Sequence, residues 1–206
     1  MKYELSKEEM QENKELILEL FDNNIKRTGA DKLKDWLINS DFFTAPASTR
    51  FHLSCEGGLA QHSLNVYNRL IKEIKSEYES VENSPYLLES LVIVGLLHDV
   101  CKVDFYEVEM RNVKNKLTNK WEQEPFYKIN DKLPIEHSSK SQYIIRSFIE
   151  LTRDESIAIM SHMGAFDSAV KGGSFTIVEA LKKFELALLL HIADLKATDI
   201  DEKKTF

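Results

Sequence analysis

The feature that most constrains the fold is an apolar segment that ends in a histidine-aspartate pair. The sequence LLESLVIVGLLHDV at 87–100 is apolar on nearly every helical face after Glu89. A helix that is hydrophobic all round belongs at the centre of a domain. Its longest apolar stretch, LVIVGLL, is far shorter than the roughly 20 residues of a membrane span. We therefore predict a buried central helix, begun by Ser84 and Pro85 in the cap and first-turn positions.

Helical periodicity elsewhere predicts an all-α fold. Ser6 and Glu9 form a capping box for a helix over 6–28 that Gly29 ends, and further helices are expected at 31–39, 59–78, 136–150, 154–163 and 176–198. Two partly alternating runs, FYEVEMRNV and WEQEPFYKI, flank the turn KNKLTNK and predict an inserted β-hairpin at about 104–130. We expect one globular unit, with an N-terminal helical segment at 1–45 packed on a domain at 46–200.

Charge and cysteine content narrow the class of protein. The formal net charge of −7 disfavours binding of long nucleic acid, which depends on clustered Lys and Arg, but allows a small nucleotide in a pocket. Cys55 and Cys101 are too few for a disulfide framework or a thiolate zinc site, and we interpret them as small buried, reduced residues. The start MKYELSKEEM has no apolar signal region, so we expect a cytoplasmic protein without membrane association. A homodimer is one alternative for the oligomeric state, which the sequence does not assign.

Several histidines and aspartates lie in unusually apolar surroundings. His62 shares a helical face with Leu59 and Val66, and Asp194 is embedded in ELALLLHIADL. An ionised carboxylate in such a run costs several kcal/mol unless it is paired or binds a metal. Lys and Arg are absent from 86–101 and 186–195, so a distant residue or a metal cation must supply the positive charge. Imidazole and carboxylate ligands suit Mn, Fe, Zn or Ni. Asp99 is our candidate for a bridge between two ions about 3.5–4 Å apart.

The order of these residues resembles that of the HD superfamily of metal phosphohydrolases in its binuclear form. The resemblance spans roughly 46–198 and rests on the strings GGLAQHSLNV, LLHDVCK, EHSSKS, MSHMGAF and LLLHIADLKAT. It implies a helical HD-domain bundle with two divalent ions, Mn, Fe or Ni, with Mg or Zn as alternatives. It also implies that one ion binds His62, His98, Asp99 and Asp194, and the other binds Asp99, His137 and His162. Glu136 stands where many relatives have Gly.

The resemblance implies hydrolysis of a phosphomonoester or phosphodiester bond by a metal-activated water. The expected substrate is nucleotide-sized. Lys102, three residues after Asp99, is expected to neutralise phosphoryl charge, and His191 is a candidate for proton transfer, with a satisfied core histidine as its alternative. Candidate substrate contacts are Arg50, His52, Arg111, Lys140 and Lys171. A nucleotide-sensing or metal-binding module without catalysis and a di-iron oxygenase of the same fold remain alternative functions.

Overall fold

The computed structural model describes residues 4–115 and 117–202, so residues 1–3 of the predicted N-terminal segment and Lys116 of the predicted turn lie outside the described residues. Helices dominate, as the all-α prediction required. The α-helices are α1 (Lys7–Asn24), α2 (Ala30–Asn39), α3 (Gly58–Tyr78), α4 (Leu88–Leu97), α5 (His137–Arg146), α6 (Arg153–Ser161), α7 (Ser168–Lys171), α8 (Thr176–Lys183) and α9 (Glu185–Lys196). The strands are β1 (Tyr106–Lys114) and β2 (Trp121–Ile129).

The predicted central helix is confirmed in α4, where every residue from Ser90 to Leu97 is buried. It packs against α3 and α6, and its side chains join one core with apolar residues of α1, α2 and α9. Its approach to α3 is close, because a Cβ built on Gly95 would lie 2.9 Å from the Cα of Tyr67. The end of α4 is therefore held firmly inside the bundle, and His98 follows directly.

The ends of several helices differ from the predicted ends. The capping box of Ser6 and Glu9 is confirmed, but α1 ends at Asn24, and Gly29 instead precedes α2 with a φ of 91°. A side chain at Gly29 would strike the carbonyl oxygen of Phe148, so this position requires glycine. The start predicted at Ser84 is wrong, because the Ser84 hydroxyl donates to the carbonyls of Val81 and Tyr86 in a preceding turn.

The predicted helix over 176–198 is two helices. The backbone of Phe184 is extended and separates α8 from α9, and a π-helical turn over Ala197–Asp201 follows α9. The segment between the predicted helices over 154–163 and 176–198 contains a 3-10 turn, Gly164–Phe166, and the short helix α7. These breaks redirect the chain so that α9 lies beside α3 and α6.

The inserted hairpin is confirmed. Strands β1 and β2 pair antiparallel from Tyr106 opposite Ile129 to Lys114 opposite Trp121. Much of the hairpin is exposed, including Val108 and Trp121, whereas Phe105 and Tyr106 at its base are half-buried. Within the described residues, no helix combines the length and the apolar character that crossing a bilayer requires.

Replacing Gly95 by Ala tests the close approach of α3 and α4. The added methyl group would meet backbone and Cβ atoms of Tyr67, so we expect the free energy of unfolding to fall by about 1–3 kcal/mol. Gly172→Ala is the matched control, because its nearest atoms would lie 3.4 Å away at a φ of −79°, and we expect a change within about 0.5 kcal/mol. Urea unfolding measures both. Equal stability of the two variants would contradict the packing described here.

Candidate metal centre

The six predicted ligands come together in the structure from five helices or helix ends. His62 lies within α3, His98 and Asp99 directly follow α4, His137 begins α5, and the remaining two are His162 after α6 and Asp194 in α9. They form overlapping groups whose ligand atoms lie within 4.8 Å of one another, namely His62 with His98 and Asp194, His98 with Asp99 and His162, and Asp99 with Cys101 and His137. These buried His, Asp and Cys groups can hold metal ions.

Asp99 belongs to two of these groups and also contacts His62 and His98 of the other group. Its Oδ2 atom lies 3.4 Å from Nε2 of His62 and 3.6 Å from Nε2 of His98. Its Oδ1 atom lies 2.8 Å from Nε2 of His137 and 3.5 Å from Nε2 of His162. Each carboxylate oxygen therefore faces its own pair of imidazoles, which is the arrangement that a bridging carboxylate needs.

The orientations of two imidazoles follow from backbone hydrogen bonds. Nδ1 of His98 lies 3.0 Å from the carbonyl oxygen of Gly95, and Nδ1 of His162 lies 2.7 Å from that of Ile159. Because a carbonyl oxygen can only accept, each Nδ1 donates its proton, and each ring directs Nε2 into the cluster. Nε2 of His162 is buried and has no hydrogen-bond partner among the described residues. Lone pairs and carboxylate oxygens aimed at the same space fit a cation.

His62 is oriented by the carboxylate of Glu202, which the sequence did not predict. Its Nδ1 lies 3.0 Å from Oε1 of Glu202, a buried residue that also accepts a hydrogen bond of 2.9 Å from Nδ2 of Asn65. The other ring nitrogen, Nε2, lies 3.3 Å from Oδ1 of Asp194. A carboxylate on the outer nitrogen of a metal-binding imidazole fixes its orientation and raises its basicity. Glu202 is thus a candidate positioning residue.

The electrostatics of the centre favour a positive charge. Burial disfavours the His62 imidazolium, yet Glu202, Asp194 and Asp99 outweigh burial and raise the pKa of His62 well above its usual value. Burial lowers the pKa of His98 to about 3, so this ring is neutral and able to bind a metal. A metal ion therefore competes with the His62 proton for the same carboxylates.

Lys102 contacts the shared carboxylate directly. Its Nζ atom lies 2.6 Å from Oδ2 of Asp99. Burial would raise the pKa of Asp99, but Lys102 and the surrounding imidazoles outweigh burial and hold that pKa well below its usual range. The same pairing raises the pKa of Lys102 despite its burial. Asp99 is therefore ionised and Lys102 protonated at neutral pH.

Cys101 is buried, as predicted, but its surroundings differ from those of a plain core residue. Its Sγ atom lies 3.2 Å from Nδ1 and 3.6 Å from Nε2 of His137. Burial lowers the pKa of His137, but Cys101 and Asp99 outweigh burial and raise it to about 10. The sequence did not predict the contact of Cys101 with His137, because two cysteines without a repeated spacing give no metal-binding pattern.

The two other histidines lie close to the ligands. Nδ1 of His191 lies 2.6 Å from the carbonyl oxygen of His162, so His191 supports the turn that carries a ligand. The ring of His52 lies 5.0 Å from that of His62, and burial lowers the pKa of His52 to about 4. His52 also groups with His62 and Glu202 at metal-binding distances. Both predicted residues therefore adjoin the centre.

The remaining candidate substrate contacts are dispersed. Arg50 and Arg111 line one cavity of about 420 Å³ between the loop before α3 and the hairpin. Lys140 is buried, pairs with Asp131 and lies 4.8 Å from the ring centroid of Phe105. Lys171 is exposed on α7. The structure thus brings the two arginines together and gives Lys140 a place in the packing at the base of the hairpin.

No protein-family model, curated protein or solved structure matches this chain.

Replacing Glu202 by Gln tests its role as the positioning partner of His62. The amide keeps the size of the side chain but removes the charge beside Nδ1, so we expect metal affinity to fall by about 10–100-fold. Asp201→Asn is the matched control, because Asp201 is the adjacent acidic residue and pairs with Arg69 away from the imidazoles. Competition with a chromophoric chelator measures both affinities. Equal affinities would show that Glu202 does not act through His62.

Proposed function

We propose that the protein is a metal-dependent phosphohydrolase of the HD type that cleaves a phosphomonoester or phosphodiester bond of a nucleotide-sized substrate. The proposal rests on the geometry of Asp99. Its two carboxylate oxygens face separate pairs of imidazoles, and Lys102 contacts the oxygen Oδ2. The order of the ligands along the chain resembles the binuclear members of that superfamily. A shared carboxylate between two ions is typical of enzymes that act on phosphate esters.

The ligands divide into two sets around Asp99. By the resemblance, His62, His98, Asp99 and Asp194 would hold one divalent ion, and Asp99, His137 and His162 would hold a second. The contacts of the two Asp99 oxygens with the four imidazoles agree with this division. Mn, Fe and Ni suit this mixture of nitrogen and oxygen donors. When bound, the ions would polarise the phosphoryl group and lower the pKa of a water from 15.7 to about 7, so that hydrolysis proceeds at neutral pH.

Lys102 supplies a fixed positive charge beside the reacting group. Its ammonium is mostly buried and is held by Asp99 at 2.6 Å, so it needs little reorganisation as charge develops. In phosphoryl transfer, negative charge spreads over the equatorial oxygens, and preorganised cations stabilise it. Partial exclusion of water strengthens this interaction. We therefore propose that Lys102 acts in turnover more than in metal binding.

His191 is better suited to positioning than to proton donation. Its Nδ1 donates a hydrogen bond to the carbonyl oxygen of His162, so only Nε2 could face a leaving group. Gly164 lies against the ring, and a Cβ there would approach its Nε2 atom to 2.4 Å. This close contact fixes the ring under the turn that carries His162. We propose that water, rather than His191, protonates the leaving group.

The cavity beside the hairpin supports a nucleotide-sized substrate. Its volume of about 420 Å³ falls within the roughly 300–1,000 Å³ of small-molecule sites. Arg50 and Arg111 offer guanidinium groups for phosphate, and the lining rings of Phe126 and Tyr127 offer stacking surfaces for a base. Glu4 and Glu56 also line the cavity and would accept hydrogen bonds from amino groups of a base.

Tyr106 connects this cavity to the metal centre. Its ring centroid lies 6.4 Å from that of Tyr127, which lines the cavity. On the other side, Tyr106 interacts electrostatically with Lys102 and Asp99, and burial raises its pKa to about 12. Tyr106 is thus a neighbour of the cavity lining and is near enough to the ion pair to sense its charges. We propose that a nucleotide binds its distal part in the cavity and presents phosphate towards Lys102.

Lys102→Ala separates turnover from metal binding. Because Lys102 contacts Asp99 without belonging to the ligand sets, we expect the variant to retain its metal while kcat falls by about 10²–10³-fold. Asp99→Ala is expected to lose both metal and activity. Lys183→Ala is the matched control, since Lys183 is exposed on α8, and it should behave as the wild type. The measurements are metal content and the hydrolysis products of nucleotides and cyclic dinucleotides, separated by chromatography, with Mn, Fe, Ni or Mg added.

Two outcomes would contradict this function. Full metal content without hydrolysis of any of these substrates would favour a nucleotide-sensing or metal-binding module. Retained metal and activity in Asp99→Ala would overturn the shared carboxylate itself.

A further inference from the structure

The turn after α4 directs Cys101 towards α5. Val100–Lys102 forms a 3-10 turn, and the backbone N–H of Cys101 donates a hydrogen bond of 3.1 Å to Oγ of Ser141 in α5. His137 is the first residue of that helix, so the hydrogen bond brings Sγ to His137. The sulfur is consequently held by two elements against a candidate ligand.

The donors around this sulfur form a set suited to one metal ion. Sγ of Cys101, a ring nitrogen of His137 and a carboxylate oxygen of Asp99 all lie within 4.8 Å of one another. Nε2 of His162, which is buried and has no hydrogen-bond partner among the described residues, lies 3.5 Å from Oδ1 of the same Asp99. Four donors from four residues match the usual coordination number of zinc.

We infer that Cys101 is a thiolate ligand of the second ion, beside Asp99, His137 and His162. The thiol releases its proton to solvent when the ion binds, because only the thiolate is a metal ligand. This inference rests on the metal binding in the proposed function and adds the chemical identity of the second position.

The sulfur makes the two metal positions chemically unequal. The set of His62, His98, Asp99 and Asp194 offers only nitrogen and oxygen, which suits ions such as Mn. A thiolate shifts the preference of the second position towards softer ions such as Zn. The second position would therefore prefer Zn over Mn more strongly than the first position does. A plain hydrogen bond between Cys101 and His137 predicts no such preference.

X-ray absorption of the zinc-loaded full chain tests the inference directly. A thiolate contributes a zinc–sulfur distance of about 2.3 Å, whereas imidazole and carboxylate ligands lie at about 2.0–2.2 Å. The chain has only two cysteines, and Cys55 serves as the control. We expect the sulfur signal in the wild type and in Cys55→Ser, and its loss in Cys101→Ser, with zinc affinity at one position lowered by at least about tenfold.

The outcomes separate the inference from the proposed function. Bound zinc with only nitrogen and oxygen neighbours in the wild type overturns the thiolate ligand and leaves metal binding intact. A sulfur signal without hydrolysis of any substrate upholds the ligand and overturns the hydrolase function alone. Failure of the wild type to bind any metal overturns both. If Cys101→Ser does not fold, the zinc–sulfur signal of Cys55→Ser is the test, because Cys101 is the remaining thiol in that variant. Loss of the signal in Cys55→Ser would then overturn the inference.

Discussion

The structure of this protein depends on keeping one carboxylate, that of Asp99, ionised in its interior. Asp99 is 3% exposed and lies among imidazoles, with Lys102 as its ammonium partner. An uncompensated charge at such a position would cost several kcal/mol. Hydrogen bonds, ion pairs and the orientation of the neighbouring rings all offset this free energy of burial. A bound cation would take over the compensation that the protons of His62 and His137 supply, because both rings contact Asp99 and both have raised pKa values.

The helical scaffold fixes these groups at its most rigid points. His98 and Asp99 follow the fully buried end of α4, while His137 and His162 lie at the termini of α5 and α6. Backbone carbonyls one turn earlier hold the outer nitrogens of His98 and His162, so helix formation itself orients both rings. His62, by contrast, relies on Glu202 from a distant part of the chain. The centre is therefore partly a consequence of local structure and partly of tertiary packing.

The sequence predicted the elements that depend on local chemistry. The apolar pattern of α4 and the alternation of the hairpin are strong periodic signals, and a carboxylate within an apolar run demands a partner, which led to Asp99 and Asp194. The break at Phe184 has no Gly or Pro signal, so an apparently continuous helix was predicted there. Glu202 and Cys101 were missed because their roles arise from contacts 140 and 36 residues away along the chain. Such contacts leave no periodic pattern.

We propose that Asp99 is shared by two ions. Anomalous diffraction from crystals of the manganese-loaded protein, purified without chelator, tests it most directly. We predict two anomalous peaks about 3.5–4 Å apart, one beside Oδ1 and the other beside Oδ2 of Asp99. A single peak, or two peaks that Asp99 does not join, would contradict this account.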